Sequence, residues 1–181
     1  GGRGRASKAR RAAAPPEAEV TPEELQERLQ AAVRAEDFAE AARLRDELQQ
    51  LMLDGEAAVL CANREFYAAF QACDADRMAA IWLDADRSCC VHPGSPPLHG
   101  GKAVVESWRA IMARRGAAVQ IECLSPSVAI SGGTGRVVCF ERVDGGVPLV
   151  AVNLFEDTGQ GWKMWHHQAG LVEPSALRGA V

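Results

Sequence analysis

Apolar residues recur at helical spacing in two short runs near the start of the chain. Leu25, Leu29, Ala32 and Val33 form one stripe, and Leu44, Leu48 and Leu51 form a second at i, i+4 and i+7. Each run opens on a capping signal. Thr21-Pro22-Glu23-Glu24 offers a side-chain acceptor, a proline at the first helical position and a carboxylate three residues on. Asp37 and Glu40 repeat the acceptor–carboxylate spacing before the second run. Two short amphipathic helices with a tight polar joint predict an antiparallel hairpin, with Asp54-Gly55 as the stop of its second helix.

Helical periodicity then continues for about two more elements. Val59, Ala62, Phe66, Phe70 and Cys73 share one face, and Asp74 caps a shorter helix that gathers Met78, Ile81 and Trp82. The stretch from Arg87 to Gly100 holds too much proline and glycine for a helix and reads as extended chain. Gly101 leads into an amphipathic helix with Val104, Val105, Trp108, Ile111 and Met112 apolar. From Ala117 the period shortens to two. Strands are expected at Val119–Leu124, with a continuation to Ile130 past Pro126 left open, and at Arg136–Val143, Val147–Glu156 and Trp162–Ala169. Asp144-Gly145 is the strongest of the hairpin signals between them. Helices followed by a run of antiparallel strands give an α+β class, with helices on one face of a curved sheet.

Composition narrows the function classes. The 181 residues are nearly half apolar and no run reaches the length of a membrane span, so a packed core is expected and no membrane span. The net charge of −4 is uneven. Residues 1–16 carry five basic side chains and no acid, which leaves 15 basic against 24 acidic residues in the remainder. So acidic a body, without a Lys/Arg stripe, is a poor nucleic-acid binder, and no nucleic-acid partner is favoured. The Arg- and Ala-rich opening has the bias of an organellar transit segment, with a basic nucleic-acid arm and a plain disordered terminus as alternatives. Six cysteines form no Cys-x-x-Cys pair and sit in apolar contexts, which fits reduced thiols in a reducing compartment.

Leu29, Ala32, Glu36-Asp37-Phe38, Ala41-Ala42, Leu44-Arg45-Asp46 and Leu48 together resemble the UVR motif, over about residues 22–53. That motif is named for bacterial nucleotide-excision nuclease subunits and is found in several plastid proteins. The resemblance implies a protein-docking hairpin and a plastid stromal location. The body resembles the nuclear-transport-factor-2-like, or SnoaL-like, superfamily over about residues 56–173. The residues that carry this are the Trp82 region, Cys90-Val91-His92-Pro93-Gly94, Leu98-His99-Gly100, Ser107-Trp108 and the closing Gly161 to His167. It implies a cone: three helices in the concavity of a bent antiparallel sheet, often around a pocket. The superfamily holds isomerases, cyclases, dehydratases and non-catalytic binding modules, so fold alone does not assign function.

The candidate catalytic residues are His92, Glu141, His166 and His167. His92 stands before Pro93-Gly94 where a pocket would open, as a base or as a backbone-bonded turn residue. His166 and His167 are adjacent on a strand, so only one can face the concavity and they cannot share a metal. Glu141 alternates onto the face of Cys139 and Val137 and could point inward, although solvent exposure is the simpler expectation. Trp82, His92, Trp108, Asn153 and His166 are expected to line the pocket. No acid matches the catalytic pattern of the known cyclases. No metal site and no cofactor are expected.

The expected organisation is a basic segment over 1–20, a hairpin over 21–54, a SnoaL-like domain over 56–173 and a tail over 174–181. Leu25, Leu29, Phe38, Leu44 and Leu48 would hold the hairpin together. Phe38, Arg43, Arg45 and Asp46 would contact a partner protein. The leading expectation is a non-catalytic adaptor whose cone forms a homodimer through its sheet or binds a ligand. The alternative is a small-molecule isomerase, cyclase or hydratase acting through His92, Glu141 and one of His166 or His167.

Overall fold

A computed structural model describes residues 20–116 and 118–172. Most of the basic opening segment and the tail over 174–181 lie outside the described residues. The chain divides into two compact units, Gly1–Arg45 and Asp46–Val181.

In the first unit, helix α1 runs Pro22–Arg34 behind a complete capping box: Glu24 N–H donates to Thr21 Oγ1 at 3.2 Å and Thr21 N–H donates to Glu24 Oε2 at 3.0 Å. Such a cap contributes about 1 kcal/mol. Helix α2 begins at Phe38 behind half a box. Asp37 Oδ1 accepts from Glu40 N–H at 3.1 Å, but the Glu40 carboxylate turns to Arg43 at 2.7 Å. Leu25, Ala32, Ala41 and Leu44 are buried. Phe38 is not among them. At 70 % exposed it lies outside the hairpin interior, and Val33 is exposed as well.

Helix α2 runs without a break over Phe38–Gln71, so the expected stop at Asp54-Gly55 is absent. Asp54 stays helical because Gln50 Nε2 donates to its carboxylate from one turn back, at 2.9 Å. Gly55 serves close packing instead. A Cβ there would stand 2.9 Å from Ile130 Cδ1.

The second unit follows with α3 (Ala75–Ile81), β1 (Cys89–Val91), β2 (Leu98–His99), α4 (Gly101–Arg115), β3 (Ile121–Ser131), β4 (Thr134–Val143), β5 (Leu149–Asp157) and β6 (Trp162–Leu171). The six strands form one sheet in the order β2-β1-β6-β5-β4-β3. The sheet is mixed rather than wholly antiparallel, because β1 pairs in parallel with β6. These two strands are joined through helices and intervening strands rather than by a hairpin, so nothing forces them to oppose. Strand β3 does continue past Pro126. A register shift between Leu124 and Ser127, with Ser125 at φ 49°, absorbs the proline on this edge strand. Asp144 and Gly145 both take positive φ, as the tight β4–β5 turn requires.

The core of this unit lies between the helices and the concave sheet face. Val59, Phe66 and Phe70 of α2, Met78 of α3, and Val104, Trp108 and Met112 of α4 meet Val137, Cys139, Ala151, Phe155, Met164 and Ala169. Helix α2 packs closely against β4 at Gly135. A Cβ there would stand 2.5 Å from Val59 Cγ2 and 3.2 Å from Trp162 Cζ3. Gly135→Ala should therefore destabilise the protein by about 1–3 kcal/mol through overpacking. Urea denaturation measures this, and an unchanged midpoint would show that the helix is free to lift.

Candidate functional site

A cavity of about 290 Å³ lies among α2, α4 and the sheet. Phe66, Phe70, Trp108 and Ile111 form its helical walls, and Ile121, Val143, Leu149 and Ala169 its sheet wall. Four polar side chains line it: His92, Arg115, Glu141 and His167.

Strand alternation brings Glu141 in. It follows Val137 and Cys139 onto the concave face and is 4 % exposed, so the expectation of solvent exposure fails. The physical reason is Tyr67 on α2, whose hydroxyl donates to Glu141 Oε1 at 2.7 Å and supplies a buried partner. Cys139 Sγ lies 3.2 Å from the same hydroxyl.

A bulge decides between the two adjacent histidines. On β6, Met164 pairs with Phe155 and His166 with Leu154, which leaves Trp165 as an extra residue. Met164 and His167 consequently both face inward and are buried. His166 points away beside Trp165, ring centroids 6.0 Å apart, and does not line the cavity as expected. His167 Nδ1 bonds Asn153 Oδ1 at 2.7 Å, and Asn153 Nδ2 donates to Asn63 Oδ1 at 2.8 Å and to Tyr67 Oη at 3.1 Å. Asn153 thus holds the wall from behind rather than lining the cavity.

His92 stands just past β1 with its ring edge-on to Trp108, centroids 4.7 Å apart, and Nε2 3.0 Å from Ser107 Oγ. Trp82, expected in the pocket, is a core residue that does not line this cavity. Arg115 is held in an ion pair with Asp144 at 2.7 Å. Asn63, Tyr67 and Arg115 were not singled out by the sequence. Asn63 and Tyr67 sit one turn apart within the apolar face of Val59, Phe66 and Phe70, and a polar pair in such a stripe is the signal for them.

The electrostatics follow from burial. Desolvation pushes the Glu141 carboxyl up to about 7, against the opposing hydrogen bond from Tyr67. Burial, then the neighbouring His92 and His166, lowers His167 to about 3, so its ring is neutral. Burial also lowers His92, aided by the charge of Arg114. The Tyr67 hydroxyl is raised well above its usual range, chiefly by burial. All six cysteines are free thiols. Among the described residues no three His, Cys, Asp or Glu side chains converge as a metal site, and no helix is long and apolar enough to cross a membrane.

The bent sheet over three helices with a polar-lined cavity defines an NTF2-like α+β domain. Residues 59–172 match the SnoaL-like domain family, and the chain belongs to it. Residues 23–51 match the UvrB/uvrC motif. Among solved structures, the chain is similar to a candidate dehydratase of the NTF2-like family from Streptomyces avermitilis. Identity is 32 %, the match covers 66 % of this chain and 97 % of that one, and the TM-score is 0.61. A candidate calcium/calmodulin-dependent protein kinase type II association domain from Thiobacillus denitrificans is 28 % identical, over 62 % of this chain and 93 % of that one, with a TM-score of 0.55. Among curated proteins, the chain is similar to the F-box protein SKIP8 of Arabidopsis thaliana, 25 % identical over 116 residues, 64 % of this chain. It spans about half the length of that relative.

The buried carboxyl makes stability depend on pH. The folded state holds the Glu141 proton to about pH 7, whereas the unfolded chain releases it near 4.5. Its contribution is complete below pH 4.5 and lost as pH rises to about 7. His167 acts in the opposite sense, its contribution complete above pH 6.5 and lost as pH falls towards 3. Glu141→Gln keeps an acceptor for Tyr67 and removes the first dependence. Relative to wild type it should gain about 3 kcal/mol of stability between pH 4.5 and 8. Urea denaturation across that range measures the gain, and parallel profiles for the two proteins would refute the buried acid.

Proposed function

We propose that the SnoaL-like domain binds a small, mainly apolar molecule in the cavity and that Glu141 moves a proton on it, as in an isomerisation or dehydration. The observation that carries this reading is the Glu141 carboxyl, buried in the cavity wall, hydrogen-bonded by Tyr67 and poised near neutrality. A carboxyl raised to that range works both as an acid and as a base at physiological pH. The walls are apolar and aromatic with a few convergent polar groups, which is the composition of a small-molecule site. The likeness to a candidate dehydratase supports the same class of chemistry. His92 and His167 flank the acid as groups that position the ligand.

A second reading concerns the hairpin, which we propose docks another protein. Phe38 and Val33 are exposed, and with Leu29, Ala41 and Ala42 they line a surface groove of the first unit edged by Arg34 and Arg45. Apolar side chains presented this way fit a contact surface rather than a hairpin core. The match to the UvrB/uvrC motif supports it. Homodimerisation through the sheet, a plastid stromal location and the absence of a nucleic-acid partner belong to the same proposal.

For the cavity, a panel of ring alcohols and ketones in deuterated water, followed by proton NMR, should reveal exchange or dehydration. Glu141→Gln should lower the rate by about 100-fold or more while ligand still binds. Absence of any proton transfer from every bound member of the panel overturns the chemical step. For the hairpin, reversing charge at Arg45 and Asp46, or introducing Phe38→Glu, should abolish partner capture in pull-downs without altering the fold. Unchanged capture by both variants counts against docking through this surface.

A further inference from the structure

The cavity wall contains an acid and a permanent cation, and they stand at different depths. Glu141 is 4 % exposed, whereas the side chain of Arg115, in the last turn of α4, is 39 % exposed. The partner of Arg115 is Asp144, on the β4–β5 turn just past Val143. A strand advances about 3.3 Å per residue, so the three positions from Glu141 to Asp144 separate the buried acid from the exposed ion pair by roughly 10 Å. Ile111, Ile121, Val143 and Leu149 in the same wall are apolar.

Arg115 is only partly committed where it stands. Its Nη1 donates to Asp144 Oδ2 at 2.7 Å, one bond where a guanidinium and a carboxylate can make two. Asp144 does not need it. Asp144 Oδ1 accepts from Gln120 N–H at 3.1 Å, and Asp144 N–H donates to Gln120 O at 2.7 Å, so the turn is latched to the chain before β3 independently of Arg115. An exposed ion pair of this kind contributes little to stability, and the guanidinium can turn without breaking a buried hydrogen bond.

Arg114 adds to the charge at this end of α4. Its Nε donates to Ala110 O at 3.3 Å, and it has no carboxylate partner among the described residues. Its field reaches the cavity wall, since burial and, after it, the charge of Arg114 lower His92. Two guanidinium groups against the single carboxylate of Asp144 leave one positive charge. Glu141 does not cancel it below about pH 7, because burial keeps its carboxyl protonated there.

We infer that Arg115 is the specificity-determining residue of the cavity and that the ligand is a small monocarboxylate, its carboxylate bound by Arg115 at the exposed end and its apolar body extending towards Glu141. This specificity rests on the reading of the cavity as a ligand site served by Glu141, and it adds the chemical class. A carboxylate matches the planar fork of the guanidinium. A dianion such as a phosphate monoester would meet the charge of Asp144 as well as that of Arg115, and a cation would meet two guanidinium groups.

Isothermal titration calorimetry of the full chain at about pH 6 tests this with three probes of one shape. These are p-butylbenzoic acid, which is ionised there, its uncharged amide p-butylbenzamide, and the cation p-butylbenzylammonium. The acid should bind about tenfold more tightly than the amide, and the ammonium most weakly. Arg115→Gln should bring the acid down to the affinity of the amide, while an unchanged affinity for the amide shows the cavity intact. An acid that binds no more tightly than the amide or the ammonium, or an acid preference undiminished in Arg115→Gln, overturns the assignment of Arg115 and leaves the cavity reading standing. Binding of none of the three overturns the cavity reading and the assignment with it.

Discussion

The hydrogen bond from Tyr67 to Glu141 is the constraint on which the rest of the domain depends. It places a carboxyl in a space that would otherwise be filled by apolar side chains. A buried acid without a partner costs several kcal/mol, and a half-satisfied polar network is worse than none. Once Glu141 is inside, Tyr67 has to be above it, Asn153 has to accept and donate in a fixed sense, and Asn63 and His167 have to complete the chain. These five side chains come from α2, β4, β5 and β6. The network therefore sets the rotation of α2 about its axis and its register along the sheet, more narrowly than the apolar contacts of Val59, Phe66 and Phe70 can alone.

Irregularities in the sheet do the remaining placement. A regular β6 would put Met164 and His166 on the same face and turn His167 to solvent. The extra residue at Trp165 reverses the pair, so that Met164 fills the core and His167 meets Asn153. The shift at Leu124–Ser127 does comparable work at the edge, where it admits Pro126 and lets β3 run its full length beside β4. Bulges at such positions are a general means of re-aiming a side chain without changing the strand order.

This division explains what the sequence disclosed. The elements with a clean period, the capped α1, the apolar face of α4 and the alternating β4, were legible because local preference and burial agree there. Glu141 was legible as to face but not as to exposure, since its burial depends on a tyrosine more than seventy positions earlier in the chain. His167 could not be told from His166, because the deciding bulge has no signature in the Trp162-Lys163-Met164-Trp165 stretch before them. The expected stop at Asp54-Gly55 failed for a related reason. The Gln50 side chain holds Asp54 in the helix and a tertiary contact with Ile130 uses the glycine, so the local signal was outweighed. The parallel pairing of β1 with β6 likewise comes from topology, which no short window contains.

The places where local rules are broken are not scattered. A buried acid, a buried neutral histidine, an Asn–Tyr pair inside an apolar helical face and a bulge all lie in or behind the wall of one cavity. A domain selected only for stability would lose little by replacing the five polar side chains with apolar ones of similar size, since such exchanges are often neutral or stabilising. They gather instead beside one cavity, with Glu141 and His167 in its wall. In the hairpin unit the pattern is opposite: its polar groups cap helices and pair at the surface, and apolar side chains, Phe38 and Val33 among them, are turned outward. Departures from folding economy are expected at functional or strained sites. The departure is polar groups turned inward in one and apolar groups turned outward in the other, and this contrast is what supports the two proposals, a small molecule for the first and a protein surface for the second.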